Sequence, residues 1–191
     1  MNDLQEEKSY RHQCLCPWWF CFSFDNIIRK LLQNPNSILK PYIVKGLTVL
    51  DVGPGMGYFT IPLAKLVGDT GKVIAADLQQ KMLDGVLHRA RREKIQDRIK
   101  LHRSTPDSIG INEPIDFCLA FWMLHEVPDR FRFLTEIYAL LKPKGLLLLA
   151  EPKIHVSHEK FNKTIEIAKS VGLFEIDRLS IFLSYSVLLK K

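Results

Sequence analysis

Two hydrophobic periods alternate along this chain. Short continuous apolar runs occupy residues 49–52, 72–77, 99–102, 115–121 and 146–150. Runs of that length bounded by turn residues read as buried strands. Between them, apolar residues recur every three or four positions, as on one face of a helix. Phe59, Leu63, Ala64, Leu66 and Val67 mark one such face, and Leu83, Val86, Leu87 and Ala90 a second within 80–93. Leu134, Ile137, Tyr138 and Leu141 mark a third within 131–141. The fourth carries Phe161, Ile165, Ala168 and Val171, with Ser157 as its N-cap and Gly172 at its end. Pro62 falls in a first helical turn, where its missing N–H is not needed. Strands alternating with helices predict an α/β fold with a doubly wound, mostly parallel sheet. Two last strands, 174–176 and 181–189, have no helix between them. They are joined as a hairpin, so one of them runs antiparallel. The expected sheet has about seven strands.

Residues before the Lys45-Gly46 turn form an extension, so the single domain divides into a 1–45 helical and aromatic cap segment and a 46–191 core. Positions 1–13 are polar. Trp18, Trp19, Phe20, Phe22 and Phe24 follow, then Ile27, Ile28, Leu31 and Leu32 at helical spacing. Asn34-Pro35-Asn36 is expected to end that helix. Five large aromatics left in water would each forgo roughly 1.5–3 kcal/mol of burial. They cover either the outer face of a helix or the carboxyl rim of the sheet.

Length and a 47% hydrophobic fraction suit one globular domain and exclude a disordered chain. The acidic, polar start is not a signal peptide, and the apolar runs 17–24 and 146–150 are shorter than the roughly 20 residues a bilayer requires. A cytoplasmic location is expected, with no membrane insertion. His12, Cys14, Cys16 and Cys21 cluster, but their spacing matches no zinc knuckle, and no metal is expected. Cys118 reads as a buried thiol. Much of the +6 net charge lies in Arg89, Arg91, Arg92, Lys94, Arg98, Lys100 and Arg103. No aromatic residues interleave them as a base-stacking platform needs, so a solvated helix face is favoured over a nucleic-acid surface.

The candidate chemistry centres on residues 49–60. An apolar strand carrying Asp51 runs into Gly53, Gly55 and Gly57, and a helix follows. Gly53 reaches positive φ cheaply, and the helix start offers unpaired N–H groups to a ligand. The spacing is G-x-G-x-G. Tyr58 stands where the dinucleotide fingerprint has glycine, and there is no G-K-[ST] of a P-loop. The next strand ends in Asp77, the position at which an acid holds ribose hydroxyls in nucleotide-binding α/β units. Together these residues resemble the first motif and the following acidic strand end of the class I S-adenosylmethionine-dependent methyltransferases, whose fold is Rossmann-like. The segment from Phe121 to Asp129 resembles the small-molecule enzymes of the ubiquinone/menaquinone-biosynthesis type. It lacks the Asn/Asp-Pro-Pro-aromatic signature of nucleic-acid amino-methylating enzymes.

The resemblance implies S-adenosylmethionine as cofactor, S-adenosylhomocysteine as product and a small-molecule acceptor methylated by in-line displacement. It implies that Asp51 and the turn (Gly53, Pro54, Gly55, Gly57, Tyr58, Phe59) hold the methionine part. Asp77 would take the ribose, Leu78 and Met82 the adenine, and Phe121 would also line the cofactor site. Many members have an aspartate soon after the third strand for the adenine amino group. Here Ser104 and Thr105 stand there, with Asp107 further on. Ligands of open α/β sheets bind beyond the carboxyl strand ends, which places His125, Glu126, Glu151 and His155 on the rim as candidate bases. By the same resemblance the aromatic segment is expected to roof the site, so that Trp18, Trp19 and Trp122 wall an acceptor pocket. An RNA or protein methyltransferase using the basic 89–103 surface is a second reading, and a non-catalytic cofactor-binding protein a third.

Overall fold

The computed structural model describes residues 32–191. Trp18, Trp19 and the His12/Cys14/Cys16/Cys21 cluster lie outside the described residues.

Asn34-Pro35-Asn36, read from the sequence as a helix end, also begins one. The Asn34 side chain accepts from the Asn36 N–H (3.0 Å), and Pro35 opens helix α1, Pro35–Leu39. A missing N–H costs nothing there. Then come β1 (Thr48–Val52), α2 (Thr60–Val67), β2 (Lys72–Asp77), α3 (Gln80–Arg92), β3 (Ile99–Arg103) and β4 (Ile115–Phe121). A 3-10 turn, Leu124–Glu126, precedes α4 (Arg130–Leu140), β5 (Leu141–Pro152), α5 (His158–Ser170), β6 (Phe174–Asp177) and β7 (Ser184–Lys190).

The sheet order is β3-β2-β1-β4-β5-β7-β6. β1 pairs in parallel with both β2 and β4, β2 with β3, and β4 with β5. β7 is antiparallel to β5 and to β6. The expected hairpin is present, with β7 inserted between β5 and β6.

Period-two alternation divides the core between the two faces. Leu50 and Val52 of β1, with Cys118 and Ala120 of β4, face Leu134 and Ile137 of α4 and Phe161 and Ile165 of α5. Val49, Phe117 and Leu119 face the other way, onto Leu39 of α1 and Leu63, Ala64 and Val67 of α2. Leu83 and Val86 of α3 pack on Ala75.

Two boundaries differ from the sequence reading. Lys142 to Gly145, expected as a turn before a strand at 146, is a bulge within β5, where the register against β4 shifts between Ile115 and Phe117. Asp116 explains it. Its carboxylate receives the Lys142 Nζ (2.8 and 2.9 Å) and the Thr48 N–H (2.9 Å), holding the bulge against the start of β1. The last strand begins at Ser184 rather than 181, because Ile181 accepts from the Ser184 N–H in a turn and Leu183 has φ 54°. No helix among the described residues is long and apolar enough to cross a membrane.

Candidate active site

The sheet reverses direction of growth at β1, with β2 on one side and β4 on the other. Loops leaving β1 and β4 therefore diverge and open a crevice at the carboxyl ends. A cleft of about 290 Å³ lies there, with walls more apolar than polar. All the candidate residues in the described range line it except Gly57 and Glu151.

The glycine turn forms one side. Gly53, Gly55 and Gly57 have φ of 65°, 54° and 90°, the left-handed region. The Gly53 N–H donates to Ala76 O (2.9 Å), and the Gly57 N–H to Pro54 O (3.0 Å). A Cβ on Gly53 would stand 2.8 Å from Met123 Cβ, so this turn must lie bare against the segment after β4. A Cβ on Gly55 would meet nothing within 4 Å.

Asp51 is buried beneath the turn and accepts from Thr60 Oγ1 at 2.6 Å. Burial pushes its pKa up to about 7, and the Thr60 bond only partly offsets that. Asp77 ends β2 at the cleft floor. Its Oδ1 accepts from the Gln79 N–H (2.8 Å). Desolvation raises its pKa to about 7 against the Gln79 and Leu78 N–H bonds, and the like charges of Glu126 and Asp51 add to the rise. A carboxylate has about four lone-pair sites. Asp77 thus keeps capacity for further donors from the cleft.

The far end is a loop closed on itself. The Ser104 N–H donates to Asp77 O (3.0 Å), and Ser104 Oγ donates to Ile109 O (3.1 Å). Thr105 donates through both N–H and Oγ1 to Ser108 O. These donors, expected from the sequence to face adenine, are engaged within the loop, leaving hydroxyl lone pairs.

An aromatic series runs along the opposite wall. Tyr58 meets Phe59 edge-on (5.1 Å between centroids), Phe59 meets Phe121 (4.3 Å), and Phe121 meets Trp122 (5.6 Å). Trp122 has φ 59°, a conformation disfavoured for a side chain of its size. Its N–H donates to Ala150 O (2.8 Å) and its indole N–H to Ser184 Oγ (2.9 Å), and both bonds help to hold it. Ser184 Oγ in turn donates to Phe182 O, and so does the Gln33 side chain (2.7 Å), while Tyr58 OH donates to Gln33 O (3.0 Å). Gln33 and Ser184 carry no motif, so sequence reasoning missed this ring. Only a polar residue among apolar neighbours signals either one.

All four candidate bases come together around His125. Glu151, buried on β5, accepts from the Leu124 N–H (3.0 Å) with one oxygen and meets His125 Nδ1 (2.9 Å) with the other. Glu126 Oε1 lies 4.0 Å from His125 Nε2. His155 stacks on His125 with centroids 5.7 Å apart. Burial pulls the His125 pKa down, but the hydrogen bond and charge of Glu151 and the charge of Glu126 outweigh it, and the net shift is upward. Among the described residues, no group of three or more His, Cys, Asp or Glu side chains is arranged to hold a metal.

A doubly wound sheet with a bare glycine turn, an acid ending the second strand and one cleft between them defines the class I S-adenosylmethionine-dependent methyltransferase architecture. The family described as a methyltransferase domain matches residues 49–145, and the chain belongs to it. It is 37% identical over 131 residues to a demethylmenaquinone methyltransferase of Lactobacillus johnsonii, covering 64% of this chain and 54% of that protein. It is 31% identical over 108 residues to the ubiquinone/menaquinone biosynthesis C-methyltransferase UbiE of Escherichia coli, covering 56% and 43%. The chain thus spans about half the length of these curated relatives. Among solved structures, a SAM-dependent methyltransferase from Aquifex aeolicus superposes with a TM-score of 0.81 at 24% identity, covering 92% of this chain and 99% of that one. That likeness upholds the expected fold.

Proposed function

We propose that this chain transfers a methyl group from S-adenosylmethionine to a small hydroxyl-bearing aromatic acceptor of the quinone-precursor type. The observation that carries the reading is the cleft: it brings the glycine turn, Asp51 and Asp77 together, with open space beside Gly55 that a ligand can fill. The residues present fit the cofactor. Asp77 would accept the ribose hydroxyls, the turn and Asp51 would hold the methionine part, and Leu78 and Met82 would pack on the base. When bound, S-adenosylmethionine supplies a methyl group already activated by its sulfonium. The protein's part is then to align and to exclude water, chiefly a proximity effect. The aromatic wall from Tyr58 to Trp122 does both. The relatives named for demethylmenaquinone and ubiquinone support the acceptor class. A quinone ring is electron-poor, so its reduced, dihydroxy form is the nucleophile.

The RNA or protein reading draws less support. Within the basic stretch, Arg98 pairs with Asp69, and Lys100 with Glu113 at 3.3 Å.

Calorimetry with S-adenosylhomocysteine tests the cofactor half, and transfer from labelled S-adenosylmethionine to a naphthalenediol, the reduced form of a naphthoquinone, tests the acceptor half. Absence of saturable binding would remove the proposal. Asp77→Ala should weaken S-adenosylhomocysteine at least about tenfold, because each charge-assisted bond lost is worth ~1.5–3 kcal/mol. The fold should survive, since Asp77 ends its strand at the cleft. Unchanged affinity would take Asp77 out of the site.

A further inference from the structure

We infer that His125 and Glu151 form a proton-accepting pair, in which the buried Glu151 carboxylate fixes the imidazole and His125 Nε2 removes the proton of the acceptor hydroxyl. This rests on the methyl-transfer reading above and adds the residue that performs its proton step.

A buried carboxylate such as Glu151 must have its lone pairs satisfied. Both of its oxygens are bonded, one to the Leu124 backbone N–H and one to His125 Nδ1. The backbone bond fixes the carboxylate to the 3-10 turn that carries His125. The carboxylate accepts only, so the neutral imidazole holds its proton on Nδ1. Nε2 is then the basic nitrogen, on a ring that lines the cleft. The stack against His155 limits the ring's tilt. A histidine held by Glu151 for structure alone would have no need of a place on the cleft wall.

The groups facing His125 are Glu151 from β5, Glu126 beside it, Arg130 at the start of α4 and His155 after β5. The two carboxylates favour the imidazolium and Arg130 opposes it, and with burial included the net shift is upward, so the imidazole gains proton affinity. That is the property a general base requires.

The hydroxyl proton passes to Nε2, and the electron pair left on oxygen enters the ring. A ring carbon or the oxygen then bonds to the methyl carbon as the carbon–sulfur pair returns to sulfur. The sulfonium becomes a neutral thioether, and after attack at carbon the displaced ring proton leaves to solvent. The Glu151 carboxylate, bonded to Nδ1, balances the charge of the imidazolium.

Glu126 does not share Glu151's role. It is partly exposed and 4.0 Å from Nε2, beyond hydrogen-bond distance. It stands on the side from which the acceptor hydroxyl would approach.

The test uses nitrogen-15 spectra of the histidine side chains in the whole protein, with the His125 signals identified by their loss in His125→Gln. The expected result is a neutral form protonated on Nδ1. In Glu151→Gln, which keeps one oxygen for Leu124, the titration midpoint should fall by about one pH unit or more. Turnover of the naphthalenediol should drop by roughly 10²–10⁴-fold in His125→Gln, with S-adenosylhomocysteine affinity unchanged. Three results would each overturn the inference: a neutral His125 protonated on Nε2, a midpoint unmoved by Glu151→Gln, or full turnover without the imidazole. Should Glu151→Gln fail to fold, the wild-type tautomer still decides. Wild-type protein that binds no S-adenosylhomocysteine defeats the cofactor reading instead, and one that binds it without methylating the diol defeats the acceptor reading. In both cases the tautomer and the titration judge the pair separately.

Discussion

Asp51→Asn is expected to stabilise the free protein at pH 8 while weakening its cofactor. The wild-type carboxylate is buried, and its pKa is raised to about 7. Such a group favours the fold while protonated. Its contribution is fully present below the unfolded value near 4 and is lost as pH rises to 7. Raising the carboxyl from its ordinary value near 4 to about 7 corresponds to a cost on the order of 4 kcal/mol above pH 7. Asparagine keeps an oxygen for Thr60 Oγ1 and removes the buried charge. The melting temperature at pH 8 should therefore rise, at ~2–4 °C per kcal/mol for a domain of this size. The gain should shrink as pH falls from 7 toward 4. In the same variant S-adenosylhomocysteine affinity at pH 8 should fall roughly ten- to a hundredfold, the worth of one charge-assisted bond. Thermal melts of both proteins at pH 5 and pH 8 check the first part, and calorimetry the second. Equal melting temperatures at pH 8 would mean that Asp51 is ionised without penalty.

Gly53 and Gly55 separate the fold from the ligand. Both have positive φ, so an alanine at either costs about 1–2 kcal/mol of backbone strain. At Gly53 the added methyl also meets Met123 Cβ at 2.8 Å, a contact with a side-chain root that cannot swing away. Gly53→Ala should displace the segment that carries Trp122 and His125, and lower stability by ~1–3 kcal/mol beyond the strain. Gly55→Ala meets no protein atom within 4 Å. Its methyl would stand in the cleft, in the space proposed for the cofactor. It should fold with only the strain penalty and bind S-adenosylhomocysteine roughly ten- to a hundredfold more weakly. Melting curves beside calorimetry distinguish the two. Gly55→Ala with wild-type affinity would place the cofactor elsewhere in the cleft.

The elements of this fold were legible because their periods are plain. Leu50 and Val52 alternate with Val49 and Asp51, and α3 shows one apolar side. The hairpin was legible too, since nothing separates 174–176 from the last strand except turn residues. Its insertion beside β5 was not, because sheet order is decided by pairing between residues distant in sequence. The Lys142–Gly145 stretch reads locally as a turn. Only Asp116, 26 residues away, makes it a bulge. The site divides the same way. Asp51, Gly53 and Asp77 announced themselves by position relative to strand ends. His125 and Glu151 could be placed on the rim from the chain alone, but their bond depends on β4 and β5 being neighbours. Trp122 was expected on the acceptor wall. Its left-handed backbone has no sequence signal, and Ser184, its partner, lies 62 residues on.

The ring through Tyr58, Gln33, Phe182, Ser184 and Trp122 bears on the order of assembly. The Gln33–Phe182 bond joins residues 149 apart. Closing a loop that long is entropically costly, and long-range contacts form late unless strong local structure brings their ends together. During synthesis, β1, β2 and β4 emerge and can pair before residue 182 exists, whereas the bond that anchors the Trp122 indole must await Ser184. A nascent chain would thus own its glycine turn and Asp77 well before it owns a finished acceptor wall. Competence to hold the cofactor and competence to use it would arrive at different chain lengths.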